Sequence, residues 1–266
     1  MSDKIAALRA RKGGTPIVCL TAYTAAIAHV LDRHVDLLLV GDSAAMVVYG
    51  MSTTVGISLE TMIGHGKAVV QASTRAIVIV DLPAGTYTSR EQALKTARRV
   101  MTETGCDGVK LEGGVAMAAT IQHLTEANIP VMAHIGLLPQ SVEETGGYRV
   151  QGKTDEDAAR MLADGLAVER AGAFAVVIEC SMEAASRAVT QSVRIPTIGI
   201  GASALCDGQV LVTDDMLGLT GGKLPRFVKR YADLDAVISA AVEDYAREVR
   251  DRRFPARAHL YFPKDT

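Results

Sequence analysis

Tryptophan is absent from the 266-residue chain, and aromatic residues amount to only 4%. That scarcity argues against a base-stacking platform for single-stranded nucleic acid. Neither sign of charge dominates: 28 Lys and Arg stand against 30 Asp and Glu, a net charge of −2. Without a basic stripe or an acidic tail, no nucleic-acid partner and no disordered interaction tail is expected. No apolar run reaches the ~18 residues of a membrane span, so no membrane partner is expected. The opening "MSDKIAALRARKGG" has no apolar segment of a secretory signal. Cysteine is sparse. Cys19, Cys106, Cys180 and Cys206 are scattered without a C-x-x-C, which excludes a zinc knuckle and a dithiol redox motif. Three of the four lie in or beside apolar runs and are expected as buried thiols. These absences together describe a cytoplasmic protein in a reducing compartment.

What is present is an alternation. Short, β-branched apolar runs occur at 16–22, 36–40, 76–81, 107–112, 130–134, 174–180, 196–201 and 209–214. Their near-continuous apolar character predicts strands covered on both faces, as in parallel sheets. The segments between them read as helices. Ser58 is placed to cap "LETMIGHGKAVVQAS", and Ser89 with Gln92 forms a capping box before "ALKTARRVMTETG", which Gly105 ends. Thr154 caps "DEDAARMLADGLAVERAG", and "LDAVISAAVEDYAREVRD" is a C-terminal helix. Eight such strands over about 250 residues predict a (β/α)₈ TIM barrel. A doubly wound open sheet is the other arrangement this alternation permits. No repeat or linker divides the chain, so one barrel domain over residues 1–266 with a helical C-terminal segment is expected. The polar, glycine-rich stretch 136–154 is the longest irregular segment, a length that usually signals function.

The chemistry lies in how the strands end. The stretch "GVKLEGG" places Lys110 and Glu112 two residues apart, on one face of a strand, before two glycines. Other strands deliver Asp42 and Ser43, Asp81, His134 and Glu179. In a parallel barrel these ends converge on one mouth, where active sites sit. Asp42, Asp81 and Glu112 repel one another unless a positive group lies between them. Oxygen-only donors suit a hard cation such as Mg²⁺, although each acid taken alone could cap a helix. Lys110 could pair with Glu112 or meet a substrate carboxylate. His134 could be a core residue or a substrate hydrogen-bond partner. Glu179 follows an apolar run. Burial there would raise its pKa toward that of a general base, and a structural ion pair is the alternative. Two tempting motifs fail. "GIGASA" is followed by another strand and not by the helix of a dinucleotide site, and "GLTGGKL" lacks phosphate-loop spacing.

The segments "LVGDS", "DLP", "VKLEGG", "HIGLLPQSV", "GGYRVQGK", "IEC", "IPTIGIGA" and "DGQVLV" stand, in that order, as they do in the ketopantoate hydroxymethyltransferases. The chain resembles that family from about residue 16 to residue 230. The resemblance implies a Mg²⁺-dependent barrel enzyme of the phosphoenolpyruvate/pyruvate superfamily. Such an enzyme moves a one-carbon unit from 5,10-methylenetetrahydrofolate to 3-methyl-2-oxobutanoate, early in pantothenate synthesis. It implies small-molecule partners, a 2-keto acid and a folate, and a homo-oligomer of the decameric kind. Carried over by position, Asp42 and Asp81 are metal ligands, with Glu112 a third. Asp42, Ser43, Asp81, Lys110 and His134 hold substrate, and Glu179 accepts the proton.

The chain departs from the family pattern at Thr24-Ala25, Ala45, Met51 to Thr53, Ala84, Leu138, Ser203 and Asp214. No metal or base position is among these, so they bear on which keto acid or folate is taken more than on reaction class. Two alternatives remain at this stage. One is a superfamily lyase or aldolase on another 2-keto acid, disfavoured because 136–154 lacks a cysteine. The other is a non-catalytic paralogue that binds a keto acid or folate.

Overall fold

The structure, a computed structural model, describes residues 3–142, 147–222 and 224–262. Part of the 136–154 stretch, residues 143–146, lies outside the described residues, as does Lys223 of "GLTGGKL". The chain falls into two compact units, Met1–Thr213 and Asp214–Thr266. In the first, eight parallel strands close into a barrel: β1 (Ile17–Thr21), β2 (Leu37–Val40), β3 (Ile77–Asp81), β4 (Gly108–Glu112), β5 (Val131–Gly136), β6 (Ala175–Glu179), β7 (Thr197–Ile200) and β8 (Gly208–Leu211). Each pairs with the next, and β8 closes on β1 with Ile17 beside Gly208. The barrel, and not the open sheet, is therefore the arrangement adopted.

All eight apolar runs become strands. The largest disagreement in extent is at the eighth, where the chain leaves the sheet early. Thr213 starts the helix Thr213–Leu217, and its N–H and hydroxyl are both taken by Thr21, at 3.0 and 2.5 Å. Between strands run the helices Ala25–Leu31, Leu59–Ala72, Arg90–Thr104, Ala118–Glu126, Asp155–Arg170 and Glu183–Ser192. Ser58, Ser89 and Thr154 cap three of these by accepting backbone N–H groups, and Gly105 ends one in the left-handed region. The capping box at Ser89 is altered: the Gln92 side chain accepts from the Thr88 N–H at 2.8 Å, one residue earlier than the motif requires. In the second unit, Asp233 caps the helix Leu234–Arg250. No described helix is long and apolar enough to cross a membrane.

Alternation along each strand sorts the side chains into two layers. One set, including Leu38, Val40, Val78, Val80, Val109 and Leu111, packs outward against the helices. The other fills the barrel: Ile17 and Cys19, Leu37 and Leu39, Ile77 and Ile79, Met132, Val177, Ile198 and Val210. Ile5 and Leu8 of the helix Asp3–Arg9 join this inner cluster. Cys19, Cys106 and Cys206 are buried free thiols, whereas Cys180, inside the sixth apolar run, is only partly buried.

Aspartates hold the end of the barrel where the strands begin. Asp36, Asp107 and Asp207 each stand one residue before a strand. They accept the N–H of Val18, Val78 and Thr197 on the preceding strand, at 2.8, 2.9 and 2.8 Å. Asp207 also binds the Lys12 ammonium at 2.8 Å. Asp32 accepts N–H groups of Thr74, Arg75 and Ala76 and the hydroxyls of Ser73 and Thr74.

Candidate active site

Inward positions continue up the barrel, and in the top layer they become polar. Ile77 and Ile79 are followed by Asp81, Gly108 by Lys110 and Glu112, Met132 by His134, and Val177 by Glu179. The i, i+2 rule thus places Lys110 and Glu112 on the same inner face, as their spacing predicts. Gly113 ends β4 with φ 124°, a conformation that strains any residue with a Cβ, and a Cβ there would also strike Met117. Asp42 and Ser43 lie just beyond β2.

Asp42, Asp81, Lys110, Glu112 and His134 are all buried. The Lys110 ammonium donates to Asp81 Oδ1 at 2.8 Å, and the Asp42 N–H donates to Asp81 Oδ2 at 3.1 Å. Lys110 therefore pairs with Asp81 on the neighbouring strand and not with Glu112. Burial alone would lower the Lys110 pKa, but Asp81, Asp42 and Glu112 outweigh it and hold the amine protonated. Asp42 is pushed up to about 7 by burial and by the charges of Asp81 and Glu112, against the pull of Lys110 and a hydrogen bond from Gln140.

On the other side of the mouth, the register pairs Glu112 with His134. His134 Nδ1 lies 3.4 Å from Glu112 Oε1, and Nε2 lies 3.2 Å from Glu179 Oε2. Neither contact is aligned as a hydrogen bond, so these are charge contacts: both ring nitrogens and Glu112 Oε1 are buried without a hydrogen-bond partner among the described residues. Burial and Lys110 pull the His134 pKa down, but the two carboxylates raise it to about 9. Burial opposes ionisation of Glu112 as well. His134, Lys110 and the Gln140 N–H overcome it and hold the pKa low. The Glu179 side chain is 16% exposed. Val176 and Ile178 of the same strand point outward to the helices, and the partly buried carboxylate faces His134.

Ser43 Oγ lies 2.8 Å from the Tyr23 hydroxyl. Of the departures from the family pattern, Thr24 caps the helix Ala25–Leu31, Ala45 is fully buried, and Ser203 Oγ donates to Glu183 at 2.9 Å. These three therefore have local structural work.

One central residue went unpredicted. Gln140 stands in the short 3₁₀ turn Pro139–Ser141 after β5. Its Nε2 donates to Asp42 Oδ2 at 2.8 Å and to the Leu82 carbonyl at 3.0 Å, and its backbone N–H donates to Glu112 Oε2 at 3.0 Å. Tyr87 donates its hydroxyl to Gln140 Oε1. The Pro-Gln pair just past a barrel strand was the available signal, but a neutral side chain in an irregular segment has no predictable direction.

The donor set fits a hard divalent cation. Lys110 pairs with one of three buried carboxylates, Glu112 Oε1 is buried without a hydrogen bond among the described residues, and the hydrogen bond from Gln140 to Asp42 falls on Oδ2. Among the described residues no group of three His, Cys, Asp or Glu side chains is arranged to hold a metal ion on its own. An open set of this kind suits Mg²⁺, which keeps waters and takes one or two carboxylates plus substrate oxygens.

Residues 3–257 match the ketopantoate hydroxymethyltransferase family. A 3-methyl-2-oxobutanoate hydroxymethyltransferase of Mesorhizobium japonicum is 60% identical over 255 residues, covering 96% of this chain and 89% of the relative. One from Paramagnetospirillum magneticum is 56% identical over 255 residues, 96% and 93% of the two chains. Among solved structures, phosphonopyruvate hydrolase in complex with oxalate and Mg²⁺ has a TM-score of 0.63 at 14% identity, covering 99% and 93%. A 2,3-dimethylmalate lyase of the PEP mutase/isocitrate lyase superfamily scores 0.59 at 18% identity, covering 99% and 93%. At such identities these two likenesses speak to the fold.

Proposed function

The chain belongs to the ketopantoate hydroxymethyltransferase family, and from that premise we propose that it transfers a hydroxymethyl group from 5,10-methylenetetrahydrofolate to 3-methyl-2-oxobutanoate, with Mg²⁺ held by Asp42, Asp81 and Glu112. That it is a hydroxymethyltransferase follows from relatives at 53–60% identity. The donor, the metal and the residue roles are our reading. The observation that carries it is the clustering of three buried carboxylates at a strand-end mouth, with Lys110 paired to Asp81 and Glu112 Oε1 buried without a hydrogen bond among the described residues.

Bound at this site, Mg²⁺ would act as a Lewis acid toward the keto acid and acidify its C3 proton. The remaining roles fall to the chain itself. Lys110 and the Ser43 hydroxyl orient the substrate carboxylate. Glu179, partly open to the mouth, takes the C3 proton. His134, protonated at neutral pH between Glu112 and Glu179, sets its Nε2 3.2 Å from Glu179 Oε2 and so positions that carboxylate at the mouth. The carbon left by proton removal bonds to the methylene carbon carried by the folate as one C–N bond of that methylene opens. Water supplies the hydroxyl oxygen to the same carbon as the second C–N bond breaks, and the C3 proton and one proton of water pass to the two folate nitrogens, which leaves tetrahydrofolate.

The test is turnover of a panel of 2-keto acids with 5,10-methylenetetrahydrofolate, before and after chelation and Mg²⁺ return. The expected result is transfer to 3-methyl-2-oxobutanoate that is lost with chelator and restored by Mg²⁺. Undiminished turnover in chelator would remove the metal. Preference for another keto acid would replace the substrate.

A further inference from the structure

We infer that Gln140 is the positioning residue of this mouth: it selects which oxygen Asp42 and Glu112 each present to the ligands. The inference rests on the reading above in taking those two carboxylates as ligand-facing groups. Its geometry can be assigned without ambiguity. The Leu82 carbonyl is a pure acceptor, so the end of the Gln140 amide that faces it, and with it Asp42 Oδ2, must be the NH₂. Oε1 then faces Tyr87, whose hydroxyl must be the donor. Both polar atoms of the amide are engaged in one orientation, through three hydrogen bonds, and a flip would set oxygen against a carbonyl.

The consequence is a division of labour within each acid. Gln140 occupies Oδ2 of Asp42 through its side chain and Oε2 of Glu112 through its backbone N–H. Of the oxygens Gln140 leaves free of its own contact, Glu112 Oε1 is buried with no hydrogen bond among the described residues, and the other is Asp42 Oδ1. One residue from the turn after β5 thus fixes two carboxylates that come from β4 and from the loop after β2. Tyr87 and Leu82, both from the loop after β3, hold it in place. A residue serving only to pack the turn would have no reason to bind acids from two other segments. Gln140 touches no reacting atom, so its effect passes through Asp42 and Glu112.

The test compares wild type with Gln140→Ala, Gln140→Glu, Tyr87→Phe and the double variant Tyr87→Phe/Gln140→Ala. Steady-state transfer, thermal midpoint and calorimetric Mg²⁺ binding in the presence of 3-methyl-2-oxobutanoate are measured on each. Gln140→Ala should lower kcat/KM for the keto acid roughly 10–100-fold, the scale of misplacing a catalytic group by about an ångström. Its thermal midpoint should stay near wild type. Gln140→Glu keeps the length and the acceptor for Tyr87 but sets an oxygen against Asp42. It should therefore be worse than the alanine, an order that packing alone would reverse. Tyr87→Phe should do less harm, and the double variant should be no slower than Gln140→Ala, since Tyr87 acts through Gln140. Mg²⁺ binding should weaken in the same order. Alanine within about twofold of wild type would overturn the inference. So would a glutamate variant as active as the alanine, or a double variant whose loss is the product of the single losses. Wild type showing no Mg²⁺ binding would sink the metal reading alone, and the kinetic order would still decide the role of Gln140.

Discussion

The two ends of the barrel are built with the same residue types and treat them in opposite ways. Where strands begin, Asp32, Asp36, Asp107 and Asp207 accept aligned hydrogen bonds from backbone N–H groups. Where strands end, Asp42, Asp81, Glu112 and Glu179 meet one another, one lysine and a histidine. Burial disfavours ionisation at both ends. At Asp32 the donors outweigh it and the pKa falls well below the ordinary carboxylate range. At Asp42 the neighbouring carboxylates add to it, and the pKa rises to about 7. The difference is therefore one of partners. Backbone donors make an acid a clasp. Like charges leave it poised to receive a cation or a proton.

The contrast breaks most visibly at Glu179. Glu179→Gln keeps the shape and removes the proton acceptor, so turnover should fall by roughly 10²–10⁴-fold with the thermal midpoint nearly unchanged. Exchange of the C3 hydrogen of 3-methyl-2-oxobutanoate in D₂O, without folate, should slow with it wherever wild type exchanges. Normal turnover would take Glu179 out of the reaction.

The opposite signature belongs to Asp32. Asp32→Ala strands several backbone donors and should cost about 3 kcal/mol of folding stability, read from urea unfolding. The folded fraction should turn over at the wild-type rate. A variant that folds stably but slowly catalyses would erase the functional distinction between the ends.

Proton linkage gives the smallest effect and opposite signs. Folding raises the Asp42 pKa, so the native state holds this proton more tightly than the unfolded chain does, and ionisation costs stability from about pH 4 upward. In metal-free buffer Asp42→Asn should gain stability over wild type as pH rises from about 4 to 8, by about 1–2 kcal/mol. Asp32, held low, gives its full stabilisation above about pH 4 and loses it as the solution becomes more acidic. Asp32→Asn should therefore be penalised at pH 7 and converge on wild type in acid. Parallel pH profiles for the two asparagine variants would contradict the comparison.

Much of this was legible in the sequence. The barrel followed from eight apolar runs. The inward set Asp81, Lys110, Glu112, His134 and Glu179 followed from period-2 alternation and the rule that barrel sites lie at strand ends. Partner choice was not legible, because it depends on register across strands. Lys110 neighbours Glu112 in sequence but sits beside Asp81, its counterpart in the β3–β4 pairing. The contact of Glu179 with His134 was not legible for a related reason: it too depends on how neighbouring strands, β5 and β6, are registered. Gln140 was beyond reach because nothing in a turn sequence fixes where an amide points.

The site is also divided along the chain. Asp42, Asp81, Lys110 and Glu112 come from the first four strands, whereas His134, Gln140 and Glu179 come from β5, the turn after it and β6. During synthesis the N-terminal segments leave the ribosome first. Lys110 and Asp81 can pair as soon as β3 and β4 meet. Asp42 and Glu112 must wait for Gln140, and His134 remains without its second carboxylate until residue 179 has emerged. The nascent chain thus carries its cluster of acids before the groups that orient them, and the cluster is complete only when the sixth strand docks.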